Sequence, residues 1–315
     1  MKRQETRTTE GQITPSEMRK ALLRSGYLLE QRVEDTMRER MAYVATNTAY
    51  PDEFTGKSRE LDVRAMSAVK AGPGEFDFLF SVILSECQNN VQPIVFFTKE
   101  PMVASLHHYE VKLSGIPVEM LVEDVAEERF VPLSEFLQMG KYHHYCEGQI
   151  ATQYCTFQPT KDRSKWIALH RDEQHDSITV LITALQAEIK EHNESWTAPH
   201  DKPEPINVQI YYPLIVLQGS LYEAFPVEGH LKLKKSNHIQ FRKEYHSANR
   251  HDTCQIDVIT EAFLGSYLTL VEREVGKTAR LLRRRKDIVR RSIDTIVAMR
   301  KRAKGAEEIR PFMIG

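Results

Sequence analysis

The chain has 315 residues, of which 41% are hydrophobic and 28% charged, and its formal net charge is -1. A core can be buried from such a composition, and no apolar run approaches the roughly 20 residues that span a bilayer, so no membrane partner is expected. The opening stretch MKRQETRTTEGQ lacks the apolar centre of a secretory signal, which makes a cytoplasmic location the expectation.

Residues 1–14 read as a polar N-terminal arm. Thr14-Pro15-Ser16-Glu17 is a helix start, with a capping hydroxyl, proline in the first turn and an early carboxylate. Apolar residues then recur at helical spacing to about residue 41, with Gly26 marking a break between two short helices. Residues 43–49 read as a strand and 52–57 as a polar turn. Along 59–66 the period of two puts Leu61, Val63 and Ala65 on one face, and Glu60, Asp62 and Arg64 on the other. Residues 71–74 (AGPG) are a turn, 76–86 an apolar central strand and 94–98 another strand.

The stretch at about 100–205 reads as an insertion, with an amphipathic helix over 177–192 and a proline-rich loop over 199–205. Strands follow at 208–218, 238–245 and 255–260, then helix from 262 to 304 with a break expected at Gly276. The fold expected is α/β, with a mixed central sheet flanked by helices. It comprises the arm, a core over 15–270 carrying the insertion, and a basic C-terminal helix and tail over 271–315.

Three segments carry chemistry. Glu30 lies on the first helical stretch, Asp62 on a strand within Gly56-Lys57-Ser58-Arg59-Glu60-Leu61-Asp62-Val63, and Glu86-Cys87-Gln88 at the end of the next strand. Hydrolysis of a phosphodiester needs charge neutralised on phosphorus and a hydroxide made at neutral pH. A divalent cation held by oxygen ligands does both. If the two strands form a hairpin, Asp62 and Glu86 meet at one edge, and Glu86 and Gln88 share a face.

These residues, in this order, resemble the PD-(D/E)XK (restriction-endonuclease-like) nuclease superfamily, in the pattern GxxxE, REIDV, ECK. The resemblance covers roughly residues 20–98, with fainter echoes at 212–219 and 256–261. It implies a metal-dependent DNA endonuclease using Mg2+ or Mn2+, in restriction, defence or repair. Asp62, Glu86 and the backbone carbonyl of Cys87 would hold the metal, with Glu30 adding a direct or water-mediated contact. Gln88 departs from the pattern, standing where the family has lysine. Glutamine can orient water but cannot act as a base. Lys57 and Lys99 are the candidates for a migrated lysine. A catalytically inactive nuclease-fold domain, serving as a nucleic-acid-binding or assembly subunit, is the alternative.

Four cysteines without CxxC spacing (Cys87, Cys146, Cys155, Cys254) read as thiols, not disulfides. His143, His144, Cys146 and Cys155, with His170 and His175, offer only one adjacent pair of zinc-type ligands. A turn with surface histidines is the expected reading there. The aromatic pairs Phe96-Phe97 and Tyr211-Tyr212 are expected to pack in the core. Residues 273–304 hold 13 Lys+Arg against 3 Asp+Glu, leaving 30 against 41 elsewhere. Arg280, Arg283, Arg284, Arg285 and Lys286 are therefore candidate DNA phosphate contacts. Leu282, Val289 and Ile296, with Ile293 alongside, form a packing stripe that could equally serve a homodimer or a protein partner.

Overall fold

In the computed structural model, residues 13–309 are described except 24, 53–55, 124–127, 170–171, 196–203 and 248–249. Most of the expected arm and of the proline-rich loop lies outside these residues, as do the side chains of His170 and His175.

Thr14 caps the first helix reciprocally. Its hydroxyl accepts the Glu17 amide at 3.3 Å, and the Glu17 carboxylate accepts the Thr14 amide at 2.9 Å. Two short helices, α1 (Pro15–Leu22) and α2 (Tyr27–Arg38), flank Gly26 as expected. An antiparallel meander follows: β1 (Tyr43–Pro51), β2 (Ser58–Lys70) and β3 (Phe78–Gln88). Next come β4 (Ile94–Lys99), β5 (Lys112–Ile116), the small hairpin β6 (Glu119–Glu123) and β7 (Glu128–Pro132), and the single turn α3 (Leu133–Phe136). The chain continues through β8 (Ile150–Pro159), β9 (Trp166–Leu169), α4 (Asp172–Ser195) and β10 (Asn207–Leu217). It ends with β11 (Leu221–Val227), β12 (His230–Ser236), β13 (His238–Ser247), β14 (Arg250–Thr260), α5 (Leu264–Arg284) and α6 (Lys286–Ile309).

The main sheet is mixed and 12-stranded, in the order β1-β2-β3-β10-β14-β13-β8-β4-β11-β12, with β5 on β10 and β9 on β8. Residues 100–205 thus contribute β8 and β5 to the sheet and α4 to its face. Among the described residues no helix is long and apolar enough to cross a membrane.

The central strand β10 is apolar almost throughout, as a strand covered on both faces must be. One edge of β10 pairs with β3. The other holds β5 up to Tyr211 and β14 from Leu214. Pro213 falls at this changeover, where that edge has no strand partner to lose. One core layer packs α2, α5 and α6 on the sheet through Leu29, Val33, Val271, Val275, Val289 and Ile293. The other packs α4 on the opposite face through Ile178, Leu181 and Leu185, against Leu84, Ile215 and Phe96. Each such buried side chain contributes about 1.5–3 kcal/mol. Phe96, Tyr211 and Tyr212 are buried as expected, while Phe97 is partly exposed.

Three expectations are corrected. Val63 and Ala65 lie in the α2/α5 layer, but Leu61 lies in the α4 layer, so the alternation reverses across Asp62. The reason is local: the β1–β2 register skips Asp62, and Asn47 opposite it takes a left-handed backbone (φ 50°). Helix α5 runs straight through Gly276, whose cost of about 1 kcal/mol is offset by buried Val275, Thr278 and Ala279. The break comes instead at Arg285 (φ -107°, ψ 23°), whose guanidinium lies over the Phe136 ring at 4.7 Å and donates to the Phe136 carbonyl. Finally, His143 and His144 are buried, not on the surface. His144 donates to the carboxylates of Glu274 and Asp257.

The AGPG turn is built around Asp77, which is buried and accepts the amides of Gly74 (2.7 Å) and Ile206 (2.8 Å). A Cβ at Gly74 would lie 2.8 Å from Asp77 Oδ2, and one at Gly72 closer still. Both Gly72→Ala and Asp77→Ala are expected to destabilise the protein by roughly 2–4 kcal/mol. Urea unfolding checks this; midpoints within error of wild type would show that the turn is not anchored by Asp77.

Candidate metal centre

The β2–β3 ladder runs from Lys70↔Phe78 to Val63↔Ser85 and stops there. The next residues, Asp62 and Glu86, face a notch where the two strands part. The backbone groups freed by the parting are taken up by side chains. The Asp62 carboxylate accepts the Cys87 amide at 2.7 Å, and the Glu86 carboxylate accepts the Asp62 amide and the Ser177 hydroxyl. Ser177 lies on α4, so Glu86 faces that layer. Gln88 does too, lining a small void with Ile178, Phe96 and Ile215. Glu30 reaches the notch from the opposite side, at the N-terminal end of α2, where the Ser25 carbonyl accepts Asn89 Nδ2 at 2.9 Å.

The three carboxyls perturb one another. Burial, then the Asp62 charge, lifts Glu86 to a pKa of about 8, with Glu30 adding to the rise. Burial also raises Asp62, against the lowering effect of the Cys87 amide, and burial and the Asp62 charge raise Glu30. The Tyr50 hydroxyl and the Cys87 thiol are likewise pushed up, first by burial and then by neighbouring carboxylates. Among the described residues no lysine or arginine figures in the groups that set the protonation of Glu30, Asp62 or Glu86. Glu86 Oε1 is buried without a hydrogen-bond partner. Neighbouring buried carboxyls with an orphaned acceptor are a setting that a hard divalent cation can stabilise. Among the described residues the carboxyl oxygens of Glu30, Asp62 and Glu86 do not all fall within 4.8 Å of one another.

Lys57 and Lys99 are both exposed. Gln88 Nε2 is buried without a partner. At the C-terminal helix, Arg283 donates to the Lys70 carbonyl at 3.1 Å and Arg285 to Phe136, whereas Arg280, Arg284 and Lys286 are exposed. Lys70 is eight residues along β2 from Asp62, roughly 26 Å at strand rise. The basic helix end is therefore remote from the carboxylates. Its stripe of Leu282, Val289 and Ile293, flanked by Ile296, is taken up in the protein's own core. Ser177 and Tyr50 were not singled out from the sequence; both stand in segments whose pattern signals only core packing.

Comparison with known proteins finds no family model, no curated protein and no solved structure that matches the chain.

The raised Glu86 pKa has a direct consequence for stability. Between the ordinary value of 4.5 and about 8, the folded chain holds a proton that the unfolded chain releases. Stability from this group is complete below the lower value and falls as pH rises through the upper one. In chelator-treated protein, Glu86→Gln is therefore expected to gain on the order of a few kcal/mol over wild type at about pH 9, and nothing at pH 4. Denaturation midpoints across that range test this, and a pH-independent difference would contradict it.

Proposed function

We propose that the protein is a divalent-metal-dependent phosphodiester hydrolase of the PD-(D/E)XK type, acting on DNA. The observation that supports this reading is that Asp62 and Glu86 cross-bond where β2 and β3 part, with Glu30 of α2 near enough to raise the Glu86 pKa and no Lys or Arg among the described groups that perturb them. Asp62 and Glu86, with the Cys87 carbonyl, would hold Mg2+ or Mn2+. A bound ion of this kind polarises a phosphate and lowers the pKa of a coordinated water. The chain's own part is positional. The crossed amide–carboxylate bonds fix Asp62 and Glu86, Ser177 orients Glu86, and the apolar layers on both sides exclude bulk water. Arg280, Arg284 and Lys286, all exposed, would meet flanking duplex away from the notch.

A specific observation favours the second reading, a nuclease-fold domain without activity that binds nucleic acid or serves assembly. Gln88 turns its amide into an apolar void of about 10 Å3 and is poorly placed to orient water. Lys57 and Lys99 are both exposed, and neither is among the groups that perturb the three carboxyls.

Supercoiled plasmid incubated with Mg2+ or Mn2+ separates the two. Nicking by wild type that is lost with chelator and in the Asp62→Ala/Glu86→Ala variant is the expected result. An intact plasmid with either ion, with DNA still bound, would transfer the assignment to the inactive domain. Replacing Arg280, Arg284 and Lys286 by Gln should weaken binding to long duplex and flatten the slope of log affinity against log salt by roughly 2–3. An unchanged slope would remove the C-terminal helix from the interface.

A further inference from the structure

A second cluster lies in the other core layer, away from the carboxylate notch. Asp257 on β14 is fully buried. Its Oδ1 accepts His238 Nε2 at 2.7 Å, and its Oδ2 accepts His144 Nε2 at 2.9 Å and the Tyr267 hydroxyl at 2.7 Å. The ligand atoms of His144, His238 and Asp257 all fall within 4.8 Å of one another. They come from three places: a short 3-10 turn at His144–Cys146, β13 and β14. His238 stands diagonally across the β13–β14 ladder from Asp257, since Gln240 is the residue directly opposite it.

We propose that His144 Nε2, His238 Nε2 and the Asp257 carboxylate form a binding site for a transition-metal dication of the zinc type. Two imidazole nitrogens and one carboxylate are the donors that suit zinc, and they leave a fourth position open. The surroundings complete the argument. His144 Nδ1 donates to Glu274 at 2.9 Å, the carboxylate-on-histidine support that turns the other ring nitrogen toward a metal. Tyr267 holds the Asp257 carboxylate in the same way. The Glu274 carboxylate is itself fixed by the His144 amide at 2.6 Å.

The site also has an approach. His238 is the most exposed of the three, though still mostly buried, and it lines a polar cavity of about 360 Å3 together with Glu147, Gln149, Glu223 and Gln240. An ion arriving there meets His238 first and Asp257 behind it. In the metal-free chain two N–H groups point at Asp257, where a dication would sit. Binding replaces each N–H···O bond by a nitrogen–metal–oxygen link: the imidazolium of His144 releases its Nε2 proton to solvent, and the neutral ring of His238 carries its proton on Nδ1 instead of Nε2. His144 keeps its Nδ1 proton and its bond to Glu274.

The experiment is zinc titration of the full chain after chelator dialysis, against a chromophoric competing chelator. Wild type and the Asp62→Ala/Glu86→Ala variant are expected to bind one equivalent each. His238→Ala should lose at least roughly tenfold in affinity. Cobalt substitution should give ligand-field bands in wild type that disappear in His238→Ala. Because Asp257 and His144 are deep in the core, the second variant is His238→Gln, which keeps the hydrogen bond to Asp257; zinc should raise the melting temperature of wild type and not of this variant. Zinc binding by His238→Ala equal to wild type, or none by wild type, would overturn the proposal.

Discussion

When two paired strands separate, their freed amides must find other acceptors, and at the β2–β3 junction those acceptors are Asp62 and Glu86. Each carboxylate takes an amide of the other's strand segment: Asp62 that of Cys87, Glu86 that of Asp62. Leaving such amides buried and unpaired would cost about 1–3 kcal/mol each. The exchange therefore stabilises the parting of the strands, while it places two carboxyl groups where water is scarce. The reversed side-chain alternation at Asp62 and the left-handed Asn47 follow from the same divergence. So does the reach of α2, whose N-terminal end closes over the notch through the Asn89 bond to Ser25.

The sheet's two faces divide the work. The α4 layer is aliphatic and aromatic around Glu86 and Gln88, so the carboxyl there is raised by desolvation with little to offset it. The α5 layer contains charge that is already compensated. Burial alone would lower the His144 pKa, but Asp257 and Glu274 on either side of the ring lift it to about 10. The same pairing holds Asp257 and Glu274 below the usual carboxylate range, against the opposing effect of burial. His143, next in sequence and stacked on the His144 ring, shares the burial without a close partner on each nitrogen and falls to about 4. Two adjacent histidines thus separate by their contacts alone.

Much of the first hundred residues was legible because local signals there agree with tertiary demands. Thr14-Pro15-Ser16-Glu17 caps a helix by its own side chains, Gly26 divides two helices, and the apolar strand ending in Glu86 has nowhere to go but the sheet centre. The order of Glu30, Asp62 and Glu86 carried the idea of a shared site before any geometry. What was not legible depends on long-range pairing. Leu61 changes layer because of a backbone conformation at Asn47, on the neighbouring strand. The burial of His143 and His144 depends on Asp257 and Glu274, more than a hundred residues later. Gly276 stays helical because α5 has a buried face strong enough to override a weak local preference. The strands β11 and β12, with exposed lysines along β12, present no buried alternation from which a strand could be read.

The two polar clusters answer the same problem, buried carboxylates, in opposite ways. Around Asp257 the protein supplies its own positive charge, so the cluster is satisfied as it stands and an added dication must compete with protons already in place. Around Glu86 the described residues supply an amide, a hydroxyl and further carboxyls, and Oε1 is left without a partner. A charge deficit of that kind is tolerated in a fold when the compensating ion comes from outside. The notch, and not the better-satisfied cluster, is thus where the proposed hard cation would bind. The histidine cluster, whose nitrogen donors select a different class of ion, would not compete with it.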